Sequence, residues 1–187
     1  MDQAASIPIH RSSRSEILGL LVTAARHSDQ SMRAPVEEKM NSIFFALERL
    51  SDAMSLAGSA EHEELRVGIY GIIGYNNLQI ADIALQFGYV ETALRAYMGA
   101  AKTYGDGIAQ ARKLGHKTVT EEFGARLAYA LTRIDKMWQG EYEYIDPDDH
   151  YPSAVLISPE LRECARTEIA KLRPEPEAIK HSRPTRT

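Results

Sequence analysis

The densest cluster of chemically capable side chains in this 187-residue chain is the segment DPDDHY, with Asp146, Asp148, Asp149 and His150. Carboxylates that close together suit a hard cation, which prefers oxygen ligands. The segment lacks the central glycine and distal glutamate of a helix–loop–helix calcium site. A solvated acidic loop, or one paired with the basic stretch 89–139, is therefore the better reading. A metal-dependent enzyme using 141–151 together with a helical glutamate stands as the alternative.

Other reactive types are scattered. The histidines are His10, His27, His62, His116, His150 and His181. None pair at i, i+4, and neither H-E-x-x-H nor the E-x-x-H pairs of di-iron bundles occur. All six read as surface histidines, His62 among Glu61, Glu63 and Glu64. Cys164 is the only cysteine, which excludes an internal disulfide and a multi-cysteine zinc site. Arg162 and Arg166 stand near it without a histidine, so it reads as structural. Gly68-x-x-Gly71-x-x-Gly74 has no following Gly-Lys-Ser/Thr and no preceding strand, so it is no phosphate loop. It predicts close helix packing. No catalytic set and no cofactor is expected.

Asn76 falls on an apolar stripe, where an amide costs free energy unless hydrogen-bonded. It either fixes helix register or faces a groove. Nine tyrosines outnumber four phenylalanines and one tryptophan, and tyrosine suits binding surfaces because an apolar ring carries a polar tip. The candidate partner-binding residues are Tyr70, Asn76, Asn77, Tyr97 and Tyr104.

The elements that must position these residues are helices. Residues 1–12 lack a period and read as a flexible arm. Ser13 and Glu16 form a capping box before a short helix ending near His27. Val36, Met40, Ile43, Phe44, Leu47, Leu50 and Met54 step by three and four, predicting a helix over 35–57 that stops at Gly58. Residues 60–87 place Leu65, Ile69, Ile72, Asn76, Ile80, Ile83 and Phe87 on one face. The glycines leave one helix or two, broken near Gly74, equally open. The helix at 90–114 carries a bulky stripe (Leu94, Tyr97, Ala101, Tyr104, Ile108) and a small one (Ala93, Ala96, Ala100, Thr103, Gly107, Ala111). Two stripes predict a central helix. Thr118 and Glu121 form a second capping box for 118–139. Ser158, Pro159 and Glu160 read as cap, first-turn proline and dipole acid of a short helix to Leu172. Residues 173–187 read as a disordered basic tail. The fold class is all-α, an antiparallel bundle of four to five helices in one domain over 13–172.

The stretch from Gly74 to Gly105 resembles one tetratricopeptide repeat. Ile80-Ala81 stands at the Leu-Gly pair, Ala84-Leu85 at the next contact and Gly88 at the turn. Ala93, Tyr97 and Ala100 stand at the small, aromatic and last small positions of the second helix. Asn77 departs from the family's Trp, and Gly105 stands near its Pro. The resemblance implies a non-catalytic scaffold with a concave groove, whose asparagines bind a partner's backbone.

A net charge of −4 with a pI near 5.9 argues against a generic nucleic-acid binder. The charge is blocked: residues 34–88 carry eight acids and three bases, and 89–139 five acids and eight bases. No apolar run approaches the length of a membrane helix. The expected setting is cytoplasmic, and the expected partner is another protein or a second copy. A homodimeric structural bundle is a further alternative. So is an exported effector, since Arg173, Lys180, Arg183 and Arg186 look loosely like the C-termini of type IV secretion substrates.

Overall fold

A computed structural model describes residues 10–58, 62–139 and 158–172. Asp146, Asp148, Asp149 and His150, the first nine residues of the expected arm and the tail 173–187 lie outside the described residues. Within them the chain forms six helices and no strand: α1 His10–Arg33, α2 Val36–Leu56, α3 Glu63–Gln86, α4 Val90–Lys113, α5 Lys117–Gln139 and α6 Pro159–Leu172. Among the described residues no helix is long and apolar enough to cross a membrane.

Successive helices reverse direction, and side-chain contacts fix the register. Ser28 and Ser31 of α1 reach Asn76 and Gln79 of α3, so those helices run parallel. Phe123 of α5 lies against Gly71, and Tyr129 against Asp82, so α5 also runs parallel to α3. Ser158 starts α6 beside Glu91, and Leu172 ends it beside Gly105, so α6 runs along α4.

The turns around α4 have a local cause. Gly88 and Gly115 sit at φ 73° and 75°, which residues with a Cβ rarely adopt. The N–H of Gly88 donates to the Leu85 carbonyl at 3.1 Å, and that of Tyr89 to Ala84 at 2.8 Å. Gly115 and His116 repeat the pattern onto Arg112 at 3.1 Å and Ala111 at 2.9 Å. Both are Schellman caps, which satisfy the last carbonyls of α3 and α4 and reverse the chain at once. At the start of α6, the Leu161 N–H reaches the Ser158 hydroxyl at 3.4 Å, as the Ser-Pro-Glu sequence predicts. The other caps shift. Helix α1 begins at His10 and runs to Arg33, so Ser13 and Glu16 lie inside it. Helix α5 begins at Lys117, so Thr118 is already helical.

Helix α4 is the hub. It packs on α3, α5 and α6, and both of its stripes are buried from Ala93 to Ala111, with Ile108 and Thr103 half-buried. Helix α3 is one unbroken rod, buried at Val67, Ile69, Leu78, Ile80, Ala81, Ala84 and Leu85, so it meets neighbours on most sides. The apolar face of α2 is rotated from the expected one: Ile43, Ala46, Leu50, Ala53 and Ala57 are buried, while Phe44 is 55% exposed. Alanines seat α2 more closely against α1 than a phenylalanine would. The core divides into a large cluster over α3 to α6 that also takes in Ile43 of α2, and a smaller one joining α1, α2 and Ile69 of α3.

The glycines of α3 do different work. A Cβ at Gly74 would stand 2.7–2.9 Å from the Tyr104 ring, and one at Gly71 3.0 Å from Phe123. A Cβ at Gly68 would meet nothing within 4 Å. Gly74→Ala should therefore destabilise the protein by about 1–3 kcal/mol, because a packed ring must move. Gly68→Ala should stabilise it by up to about 1 kcal/mol through helix propensity alone. Urea unfolding of the two variants checks the opposite signs.

Candidate functional site

Aromatic rings pack onto α3 and α4 at Gly71, Gly74 and Gly107. Phe123 reaches in from α5 against Gly71 and Gly107, where added Cβ atoms would lie 3.0 and 2.7 Å from its ring. The Tyr104 ring meets Phe123 at 5.4 Å between centroids, tilted by 60°. Both rings line an open cleft of about 310 Å³. Helix α1 contributes Ala25, Ser28 and Asp29 to it, α3 contributes Gly71, Ile72 and Tyr75, and α5 adds Glu122 and Arg126. The cleft is thus a groove between two parallel helices, α1 and α5, with α3 as its floor. At 3.6 residues per turn, Gly68 continues the Gly71–Tyr75 stripe one turn towards the start of α3. On α1, Leu18 and Val22 precede Ala25 and Asp29 on the same edge, and they are 44% and 52% exposed.

The electrostatics converge on Tyr104. Burial pushes its hydroxyl up to about 12, with Arg126 pulling it down and Glu122 pushing it up. The Arg126 guanidinium lies 5.7 Å from the centre of the Tyr75 ring, a cation–π contact across the groove floor.

A second polar cluster ties α3, α4 and α5. The Tyr97 hydroxyl donates to Asp82, Arg133 Nε donates to the Tyr97 oxygen at 3.1 Å, and Tyr129 donates to Asp82 at 3.4 Å. The Arg133 guanidinium also sits 5.8 Å from the Tyr97 ring centre. Burial, then the bond to Asp82, lifts the Tyr97 hydroxyl well above the usual tyrosine range.

The five residues expected to bind a partner part company here. Tyr104 lines the cleft. Tyr97 is fully buried in the Asp82–Arg133 cluster, so its contacts are internal. Asn76 is also fully buried, and its Oδ1 accepts from Ser28 at 3.0 Å, which is the register-fixing outcome. Its Nδ2 has no acceptor among the described residues. Asn77 is half-buried beside Gly99, and Tyr70 half-buried against Gly107. His62, expected at the surface, is 5% exposed at the start of α3. Cys164, read as structural, is exposed on α6. Among the described residues no group of three or more His, Cys, Asp or Glu is placed to hold a metal ion. Phe123, Glu122, Arg126 and Gly68 were not singled out by sequence reasoning as site residues. Phe123, the one phenylalanine within 118–139, was the available signal.

No protein-family model matches this chain, and no curated protein or solved structure does. The groove is therefore read from its own chemistry.

Tyr104 sets an alkaline limit. The unfolded hydroxyl loses its proton near 10 and the folded one near 12, so the folded state holds more protons between those values. The resulting stability is complete below pH about 10 and is lost as pH rises through about 12. Tyr104→Phe should flatten the fall of urea midpoints over that range relative to the parent chain.

Proposed function

We propose that this chain is a non-catalytic helical interaction module that seats a helical segment of another protein in the groove between α1 and α5. The observation that carries the reading is the groove itself: two parallel helical walls, a floor of Gly71, Ile72 and Tyr75, and the Tyr104 and Phe123 rings lining it. Grooves of this kind accept an amphipathic helix that lays its apolar face against the floor. Leu18 and Val22 extend the apolar wall beyond the cleft, with Leu18, Val22, Ala25 and Asp29 spaced by four, three and four residues. That spacing matches the 3.5-residue repeat at which packed helices meet. The tetratricopeptide-like residues of the α3–α4 hairpin support the same class of activity. On this reading the protein is an adaptor, chaperone-like or regulatory subunit of the cytoplasm.

The test places a bulky ring one turn beyond the cleft floor, at a position where the fold has room for it. Gly68→Trp places a large ring where an added Cβ meets nothing. The variant should keep the circular dichroism spectrum and melting behaviour of the parent. A photo-crosslinking residue at Val22 should capture a partner in cells with the parent floor and lose it in Gly68→Trp. Equal capture from both backgrounds would count against the groove. A crosslinked product containing only this chain would make the occupant a second copy.

A further inference from the structure

The open cleft carries a charge pattern of its own. Of the polar side chains that line it, Ser28 gives its hydroxyl to Asn76 at 3.0 Å, and Asp29 has a partner within the chain. Glu122 and Arg126 of α5 remain. They stand four residues apart on one helix edge, where Cβ atoms lie about 5–6 Å from each other. Among the described residues neither enters an ion pair. The contact of Arg126 with the Tyr75 ring uses no N–H of the guanidinium, whose donors form a planar fork suited to a carboxylate. Both charges act on the Tyr104 hydroxyl, in opposite directions, so they face the same part of the floor. Phe123 falls between them in sequence, and its ring is buried against that of Tyr104. The rim thus sets one carboxylate beside one guanidinium, above an aromatic and apolar floor.

We infer that the cleft binds a free aromatic α-amino acid, with its ammonium on Glu122, its carboxylate on Arg126 and its ring on the floor. A pair of opposite charges with no net charge is complementary to a zwitterion. A simple cation or a simple anion would leave one rim charge desolvated without a partner. The body of the ligand must be apolar, because Ala25, Gly71, Ile72 and the Tyr104 and Phe123 rings line the rest of the cleft. A flat ring suits that lining, since aromatic pairs favour offset and edge-to-face contacts. The volume of about 310 Å³ lies at the low end for ligand pockets and so holds one small molecule. The inference goes beyond the helix reading and stands without it. A bound amino acid would occupy the floor on which such a helix lies.

Titration of the full chain with L-phenylalanine, 2-phenylethylamine and 3-phenylpropionate, followed by NMR shifts of the protein amides, tests this. The amine lacks the carboxylate and the acid lacks the ammonium, on the same body. L-Phenylalanine should bind about fivefold more tightly than either, the upper end for an exposed ion pair. Glu122→Gln should remove its advantage over 3-phenylpropionate, and Arg126→Gln its advantage over 2-phenylethylamine. Both substituted side chains are exposed, and circular dichroism checks that the fold is kept. Ala25→Trp, at an exposed position on the cleft wall, should weaken all three ligands. Equal binding of the three, or a preference unchanged in Glu122→Gln and Arg126→Gln, would overturn the inference. So would binding of none at millimolar concentrations, or binding untouched by Ala25→Trp.

Discussion

The ring of Phe123 passes between Gly71 of α3 and Gly107 of α4, and Tyr104 lies flat against Gly74. Each ring occupies the place of a side chain that α3 or α4 does not have. The spacing of α3, α4 and α5 follows from that exchange, because a Cβ at Gly74 or Gly107 would push the helices apart. The cleft follows too: α5 is drawn in over α3 at Phe123, and Gly68, the one glycine of the triad without an opposing ring, is left exposed. Glycine inside a helix costs roughly 1 kcal/mol relative to alanine. Here the burial of two aromatic rings offsets it, since rings of this size dominate core energetics.

Much of the bundle was legible because its signals are local. Helical periods, the glycines at 88 and 115 and the Ser-Pro-Glu start of α6 act within a few residues, and each appears where the chain predicts it. The two stripes of α4 were legible for a related reason: a helix that packs on several neighbours needs more than one apolar face. The errors arose where tertiary packing chose between equivalent local options. Ser13 and Thr118 could each have capped a helix, yet α1 continues back to His10 and α5 starts at Lys117. Phe44 belongs to the best apolar stripe of α2 by hydropathy, yet Ala46 and Ala53 take the buried line.

The site was less legible than the fold. Asn76 and Tyr97 were candidates because a polar group on an apolar stripe invites explanation. The explanation is internal in both cases, with Ser28 pinning one and Asp82 with Arg133 engaging the other. Register and recognition use the same residue types, so composition does not separate them. A groove is assembled from three helices far apart in sequence, and its lining is visible only once α1 and α5 lie on either side of α3. The blocked charges behave similarly. Glu63 near the start of α3 pairs with Lys113 at the end of α4, which holds its carboxyl below the usual range. An acidic block and a basic block can thus meet inside one molecule without any partner.

The two walls of the groove belong to different apolar clusters. Helix α5 is rooted in the large one through Phe123, Ala130, Ile134 and Met137, whereas α1 belongs to the small one with α2 and meets α3 through Ile69 and the two serine bonds. Local opening in a protein begins where fewer apolar contacts must be given up. Helix α1, with Ile17 and Ala24 in the small cluster and no buried member in the large one, is therefore the more compliant wall, and α5 the firmer one; α2 is held to the large cluster through Ile43. Any occupant of the proposed groove would thus meet one wall that yields at lower cost than the other.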